Sequence, residues 1–462
     1  MSDKNPNTEF HHALKVDSDL CTGCTHCMTV CPTRAIRVRG GVASIIANRC
    51  VDCGECYRAC PVSAIGVEQN DLDIIFRYPV RVILIPAVLI GQFSHKIPVS
   101  RIYGALSDLG FTHVYQVENT VDMVLEAYTG FKELNEIRPL ISSFCPAIVR
   151  LIQVRFPDLV DNIIKVNPPI DMSALYYLEK IKSTGIRQQD IGLFYATPCA
   201  AKIAAVKSPV GDTESVVTGV INMNFLYNKI QKSLQNSETS ENMPVTDDLL
   251  NSRGVMWSLT RGESMHSEKR ALAVDGIRNV TELLENLEND RLGYVDFLEL
   301  RACDEGCAGG ILMTGNRFLT VERLRKMAAQ MSLRDNEEQK KIIDGFMNLK
   351  EHSFLGNIEP RNIEKLDEDT SVAMKKMERK RRLMCFLPGF DCAACGAPDC
   401  QTLAEDIVQG HSSISNCIFL QQQMINQNLL SSEKAYRITE QIWGKDRLEK
   451  NCNKIGAEDE NS

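Results

Sequence analysis

The segment IGLFYATPCAAKIAA, residues 191–205, is the stretch from which the fold can be read. Ile191 to Thr197 is a run of apolar and β-favouring residues of strand length. Pro198 cannot donate to a ladder and marks its end. Cys199 follows at once, and AAKIAA has helical composition. Working outward, the same alternation recurs: RVILI, THVYQVE, PLISSF and YVDFLEL read as strands, and SRIYGALSDLG, VDMVLEAY, AIVRLIQVRF and MSALYYLEKIK as helices. This predicts parallel sheet covered by helices. Cys145 directly follows PLISSF, and Cys303 lies three residues past YVDFLEL. Three cysteines thus stand just beyond the carboxyl ends of three strands, the edge along which open α/β sheets bind ligands.

The chain has eighteen cysteines, and sixteen form four sets of four. Cys21, Cys24, Cys27 and Cys31, then Pro32, make a C-x2-C-x2-C-x3-C-P run. Cys50, Cys53, Cys56 and Cys60, then Pro61, repeat it 29 residues on. A cubane needs four thiolates, and one tight loop supplies three. In two-cluster ferredoxins the fourth cysteine of each run serves the other cluster. The expected sets are Cys21, Cys24, Cys27 with Cys60, and Cys50, Cys53, Cys56 with Cys31. Structural zinc is the alternative, but it rarely uses this triple spacing closed by proline. The segment resembles bacterial two-[4Fe-4S] ferredoxins.

Near the other end, LPGFDCAACGAPDCQTLAEDIVQG, residues 387–410, offers Cys392, Cys395 and Cys400, with Cys417 as a fourth. Gln401 to Val408 reads as helix, with Gly410 to end it. The C-x2-C-G-x-P-x-C core resembles the small [4Fe-4S] domain of corrinoid iron–sulfur proteins and some electron-transport subunits, with zinc again the alternative. Cys385 is expected to be a buried thiol outside the set, and Cys452 to be incidental.

Bulk properties narrow the class. A net charge of −8 argues against a general nucleic-acid role. The start MSDKNPNTEF has no apolar core of a signal peptide, and Val80–Ile90 is too short to span a bilayer and contains Pro86. No membrane span and a cytoplasmic location are expected, where a reducing milieu suits many metal-ready thiols. Lys375, Lys376, Arg379, Lys380, Arg381 and Arg382 form a basic run, read as a solvated helix face or linker against a docking patch for an acidic partner such as a ferredoxin. Residues 1–15 are expected to be a loose arm, and the end IGAEDENS disordered.

The scattered set gains meaning from its neighbours. SSFCPAIVR (142–150), TPCAAKIAA (197–205) and LRACDEGCAGG (300–310) are each weak alone. In this order, at strand ends and beside a ferredoxin-type segment, they resemble the three signature segments of [FeFe]-hydrogenases over about residues 78–355. The resemblance implies an α/β hydrogenase-like central domain with parallel sheets, flanked by an N-terminal α+β dicluster ferredoxin domain and a small C-terminal cluster-binding domain. The expected divisions are 11–70 for the ferredoxin-type domain, 78–355 for the H-cluster-like domain, 356–382 for a charged linker or exposed helix, 383–427 for the C-terminal [4Fe-4S] domain and 428–462 for a polar tail.

The resemblance further implies that Cys145, Cys199, Cys303 and Cys307 hold the cubane of an H-cluster, with Cys307 bridging to a diiron unit that carries CO and cyanide. Lys202 falls where the family places a lysine hydrogen-bonded to cyanide; if buried, its ammonium needs such an anionic partner, and the alternative is an exposed helix lysine. The implied inventory is three accessory [4Fe-4S] clusters and a fourth within the H-cluster. Several positions depart from the prototype. Phe144 stands in place of the cysteine that relays protons, Thr197 and Arg301 replace methionines, and Ala205 replaces an acid after the lysine. The paired upstream acids are reduced to Glu126. General acid–base assistance is worth about 10²- to 10⁴-fold, so Phe144 implies slow turnover. The pattern is similar to divergent groups regarded as H2 sensors. The expected function is H2 binding in a sensory or regulatory role, with a ferredoxin-like or other redox partner and a separate signalling protein. The alternative is a non-catalytic electron-transfer or assembly protein without the diiron subsite, as in Narf-like relatives.

Overall fold

Val80–Ile85 and Ile191–Thr197 are neighbours at the centre of a five-stranded parallel sheet, ordered Val245–Thr246, His113–Gln116, Val80–Ile85, Ile191–Thr197, Gly219–Asn222. Both faces are covered by helices, which is why these strands read as continuous apolar runs rather than alternating ones. Val82, Leu84, Leu193 and Tyr195 share one core with the helix Pro169–Lys182. Ile83, Ile85, Phe194 and Ala196 face the helices Val99–Asp108 and Met223–Gln235 on the other side. The computed structural model describes residues 10–211, 214–235, 243–246, 252–267, 270–289, 291–331, 353–361, 366–367 and 369–448. Cys452 and the IGAEDENS end lie outside the described residues.

The remaining parallel strands form a second sheet, ordered Ala271–Asp275, Phe297–Arg301, Leu140–Ile141. PLISSF contributes only two residues to its ladder, because the next residues turn inward. Ser142 N still bonds Leu298 O, but its side chain is taken by a buried carboxylate. The carboxyl ends of strands from the two sheets converge, and the scattered cysteines stand there.

Residues 10–70 form two short antiparallel pairs, Leu14–Val16 with Ile65–Val67 and Ile36–Arg39 with Val42–Ile45. The second turns through Gly40 and Gly41, both at positive φ, as a two-residue hairpin loop demands. Residues 10–15 are not a loose arm: the Phe10 ring lies beneath the guanidinium groups of Arg150 and Arg361, and His12 is buried against Asp52.

The charged segment contains the helix Thr370–Phe386, whose N-terminus is capped by Asp369. Cys385 is on the solvent side of its last turn, exposed rather than buried, with only the weak contact of its thiol to Arg381 O at 3.6 Å. The helix Cys400–Val408 follows, and Gly410 at φ +83 ends it. The polar tail holds an amphipathic helix, Ser432–Trp443, with Ala435 and Ile442 buried. Its end accepts hydrogen bonds from Gly40 N and Gly41 N, so the C-terminal segment closes back onto the N-terminal hairpin. No described helix is long and apolar enough to cross a membrane.

Candidate metal centre

The local sequence explains how each scattered cysteine is held. Cys145 caps the helix Pro146–Arg155, with proline at the first helical position. Cys199 caps Ala200–Lys207. Thr197 shapes its turn: the hydroxyl donates to Cys199 O at 2.9 Å and accepts from Cys199 N at 3.3 Å. Both helices thus begin at the site, where their free N–H groups and dipoles favour negative charge. Cys303 and Cys307 lie on the turn after Phe297–Arg301. Glu305 and Gly306 are at positive φ there, and a Cβ on Gly306 would meet Ser258 O at 2.6 Å.

These four cysteines line a single cavity with Phe144, Lys202, Arg301, Asp52 and Cys53. Burial pushes the thiols of Cys145 and Cys303 up, and that of Cys199 to about 12 against the pull of Lys202. Ionised sulfur here therefore needs a cationic partner, as iron would be. Cys53 places the second N-terminal run on the wall of the same cavity. The docking is close: a Cβ on Gly54 would lie 2.6 Å from Ile311, and Arg58 donates to Gly309 O.

Lys202 is the electrostatic centre of the cavity. It is only 7 % exposed, and its Nζ is 3.5 Å from Cys307 Sγ and 4.5 Å from the Phe144 ring centre. Burial alone would lower its pKa, but the facing sulfurs, Cys307 foremost, hold it above the ordinary lysine value. Arg301 stacks on the same ring at 3.9 Å. It pairs with Glu263 at 2.8 Å and Glu299 at 3.3 Å and donates to Trp257 O, while its buried Nη1 has no hydrogen-bond partner among the described residues. Phe144 is therefore clamped between two cations.

Behind Phe144, the Glu263 carboxylate also accepts from Tyr128 and Ser142, and Ser142 in turn accepts from Phe144 N. Burial pushes Glu263 up, Arg301 pulls it down and Glu299 pushes it up again. The sequence reading missed Glu263, Glu299, Arg150 and Asp52. For Glu299 and Arg150 the signal was a charge inside an apolar run, FLELR and AIVRLIQV; Glu263 and Asp52 carried none. Asp52, at positive φ, accepts from Ala13 N and meets His12 and Arg150. Glu126 is exposed, away from the cavity. The buried acid nearby is Glu118, which accepts from Ala87 N and Ser258 and is pushed up by burial.

The compact sets are assembled as follows. Cys21, Cys24, Cys27 and Cys60 line one small cavity. Burial lifts Cys27 to about 12, with Cys24, Cys21 and Cys60 adding to the effect. Cys31 acts electrostatically on Cys50, Cys53 and Cys56. Each run thus sends its last cysteine to the other. At the C-terminal end Cys395, Cys400 and Cys417 are buried in one apolar cluster, and Cys392 is exposed beside them. Burial raises Cys395 to about 11, helped by Cys392 and Cys417. Asp391 accepts from Cys400 N and fixes the loop.

Comparison with known proteins agrees with this division. The family model described as iron only hydrogenase large subunit, C-terminal domain, matches residues 80–250 and 211–311. A 4Fe-4S dicluster domain matches 13–61, and an Fe-S cluster domain matches 387–419. No curated protein sequence matches the chain. Among solved structures, an [FeFe]-hydrogenase studied for oxygen inactivation of its H cluster is 14 % identical, covering 62 % of this chain and 96 % of its own, with a TM-score of 0.47. HydA(deltaEFG), studied for stepwise H-cluster assembly, is 15 % identical over 63 % of this chain and 98 % of its own, TM-score 0.45. A variant of HydA1 from Chlamydomonas reinhardtii is 15 % identical over 63 % and 98 %, TM-score 0.48.

Proposed function

The chain belongs to the family of the iron only hydrogenase large subunit, C-terminal domain, and from that membership we propose that it binds H2 at an H-cluster, turns it over slowly and serves a sensory or regulatory role. In this reading Cys145, Cys199, Cys303 and Cys307 hold a cubane, and Cys307 bridges to a diiron unit. The other twelve cysteines of the four sets hold three accessory [4Fe-4S] clusters. When bound, the diiron unit supplies the place where H2 is split into, or formed from, protons and electrons. The loop at Cys53 brings the wiring to the wall of that site, for exchange with a ferredoxin-like or other redox partner. A separate signalling protein would read the state.

The observation that carries the reading is Lys202. A buried ammonium loses several kcal/mol of hydration and is retained where an anion faces it. Among the described residues its hydrogen-bond partner is Cys307 Sγ, at a long 3.5 Å, which leaves donor capacity for a further anionic ligand. The unpartnered Nη1 of Arg301 adds a second donor to the same wall. The residues present therefore suit an anionic cyanide-bearing group. Phe144, held between Lys202 and Arg301, has no proton to give, which accounts for the slow turnover proposed.

Infrared spectroscopy after expression with the diiron maturation machinery tests this directly. The wild-type protein should show bands of bound CO and cyanide. Lys202→Met should weaken loading by about one to two orders of magnitude, the worth of a charged hydrogen bond of about 1.5–3 kcal/mol, with the cubane absorbance kept. A matured sample with all its cubanes and no such bands would leave an electron-transfer or assembly protein instead.

A further inference from the structure

A second cavity, of about 370 Å³, lies on the other side of the Cys145 loop and is lined by Ser143, Pro146, Asp171, Ala205, Glu214 and Phe354, among others. Pro146 belongs to the walls of both cavities. Resting on the diiron reading above, we propose that this second cavity is the proton port of the site, with Asp171 as the carboxyl that passes protons between its water and the Lys202 side of the cysteine cavity.

Three features support it. Ala205 lies one turn after Lys202 on the same helix and lines the second cavity, which ties that cavity to the Lys202 element. Asp171, in the first turn of Pro169–Lys182, is half-buried at that wall. The charge acting on it is the Lys202 ammonium, on the helix that also carries Ala205. Burial raises the Asp171 carboxyl to about 6, with Lys202 opposing, which lets it bind and release a proton near neutral pH. Among the described residues of the lining, Glu214 is the only other charged group. It is exposed and can exchange with bulk water. Ser143, Pro146 and Val149 face Asp171 from the Cys145 side, and Phe354 and Leu355 from the far wall, with no charge.

The transfer balances simply. The carboxylate takes a proton from a hydronium ion in the cavity, releasing water, and gives it to water on the inner side. No electron moves in this step. Elsewhere around Lys202 the carboxyls are enclosed: Glu263 by Tyr128, Ser142 and Arg301, with the Phe144 ring between that network and Lys202, and Glu118, which also feels Lys202, by Ala87 N and Ser258.

Asp171→Asn is compared with the wild type and with Asp171→Glu in matured, full-length protein. Expected are a loss of about tenfold or more in H2/D2O exchange, undiminished CO and cyanide bands, and recovery in the Glu variant. In protein carrying cubanes alone, a carboxyl infrared band titrating near pH 6 should be present in the wild type and absent from the Asn variant. Unchanged exchange in an Asn variant with intact bands, or the absence of that titrating carboxyl band, overturns the port and leaves the diiron reading standing. A wild type without CO and cyanide bands removes the diiron reading, and the port with it.

Discussion

The wall of the cysteine cavity formed by Phe144 and Arg301 and the wall behind Lys202 and Ala205 differ in how they treat their carboxylates. On the first, Glu263 and Glu299 are fully enclosed and committed to Arg301, Tyr128, Ser142 and backbone N–H groups. On the second, Asp171 lines a cavity of about 370 Å³ and feels the Lys202 ammonium. The same residue type is structural on one flank and available for chemistry on the other. Burial pushes both the Glu263 and the Asp171 carboxyl up, but Glu263 is enclosed by hydrogen-bonding and charged partners, whereas Asp171 lines a cavity.

The strongest test of the sealed flank is Arg301→Met, which removes the guanidinium and keeps an apolar side chain of similar length. It strands two buried carboxylates, and breaking a buried pair of this kind costs about 3–5 kcal/mol. Chemical denaturation should register that loss. Adding Glu263→Gln should recover part of it, and a loss below about 1 kcal/mol would mean that Arg301 is not the counter-charge of the network.

Phe144→Cys probes the boundary between the flanks. It supplies a proton-carrying group at the inner wall, between Lys202 and Arg301. H2 evolution should rise by about 10²-fold or more, and stability should fall by about 3 kcal/mol for the lost ring. An unchanged rate with intact clusters would place the block elsewhere.

The smallest effect belongs to the open flank. Because the folded chain holds the Asp171 proton more tightly than an ordinary carboxyl, its contribution to stability is present in acid. That contribution is lost as pH rises from 3.8 through about 6. Asp171→Asn should thus match the wild type in melting temperature near pH 4 and exceed it slightly at pH 7. The reverse order would mean that the carboxylate is stabilised in the fold.

Much of this was legible in the chain. The two C-P runs could be paired without coordinates, because their spacing resembles that of two-cluster ferredoxins, in which the fourth cysteine of each run serves the other cluster. IGLFYAT and the FLEL part of YVDFLEL announced themselves as strands because both their faces are buried. PLISSF did so less well, since only Leu140 and Ile141 enter the ladder. Cys385 misled because hydropathy cannot say which side of a helical turn faces water. The helix Ser432–Trp443 within the polar tail was not read from the sequence, because only Ala435 and Ile442 of it are buried.

The sequence alone determined the ferredoxin-type runs, the parallel strands and the identity of the cysteines at their ends, all of which depend on spacing within a few dozen residues. Tertiary structure decided the rest. It divided the strands between two sheets and brought Cys145, Cys199, Cys303 and Cys307 to one cavity. It set Phe144 between Lys202 and Arg301, and left Asp171 beside open space. Those outcomes depend on burial and on charges brought together from more than a hundred residues apart, because the energy of an ionisable group is set by what surrounds it in space rather than by its neighbours along the chain.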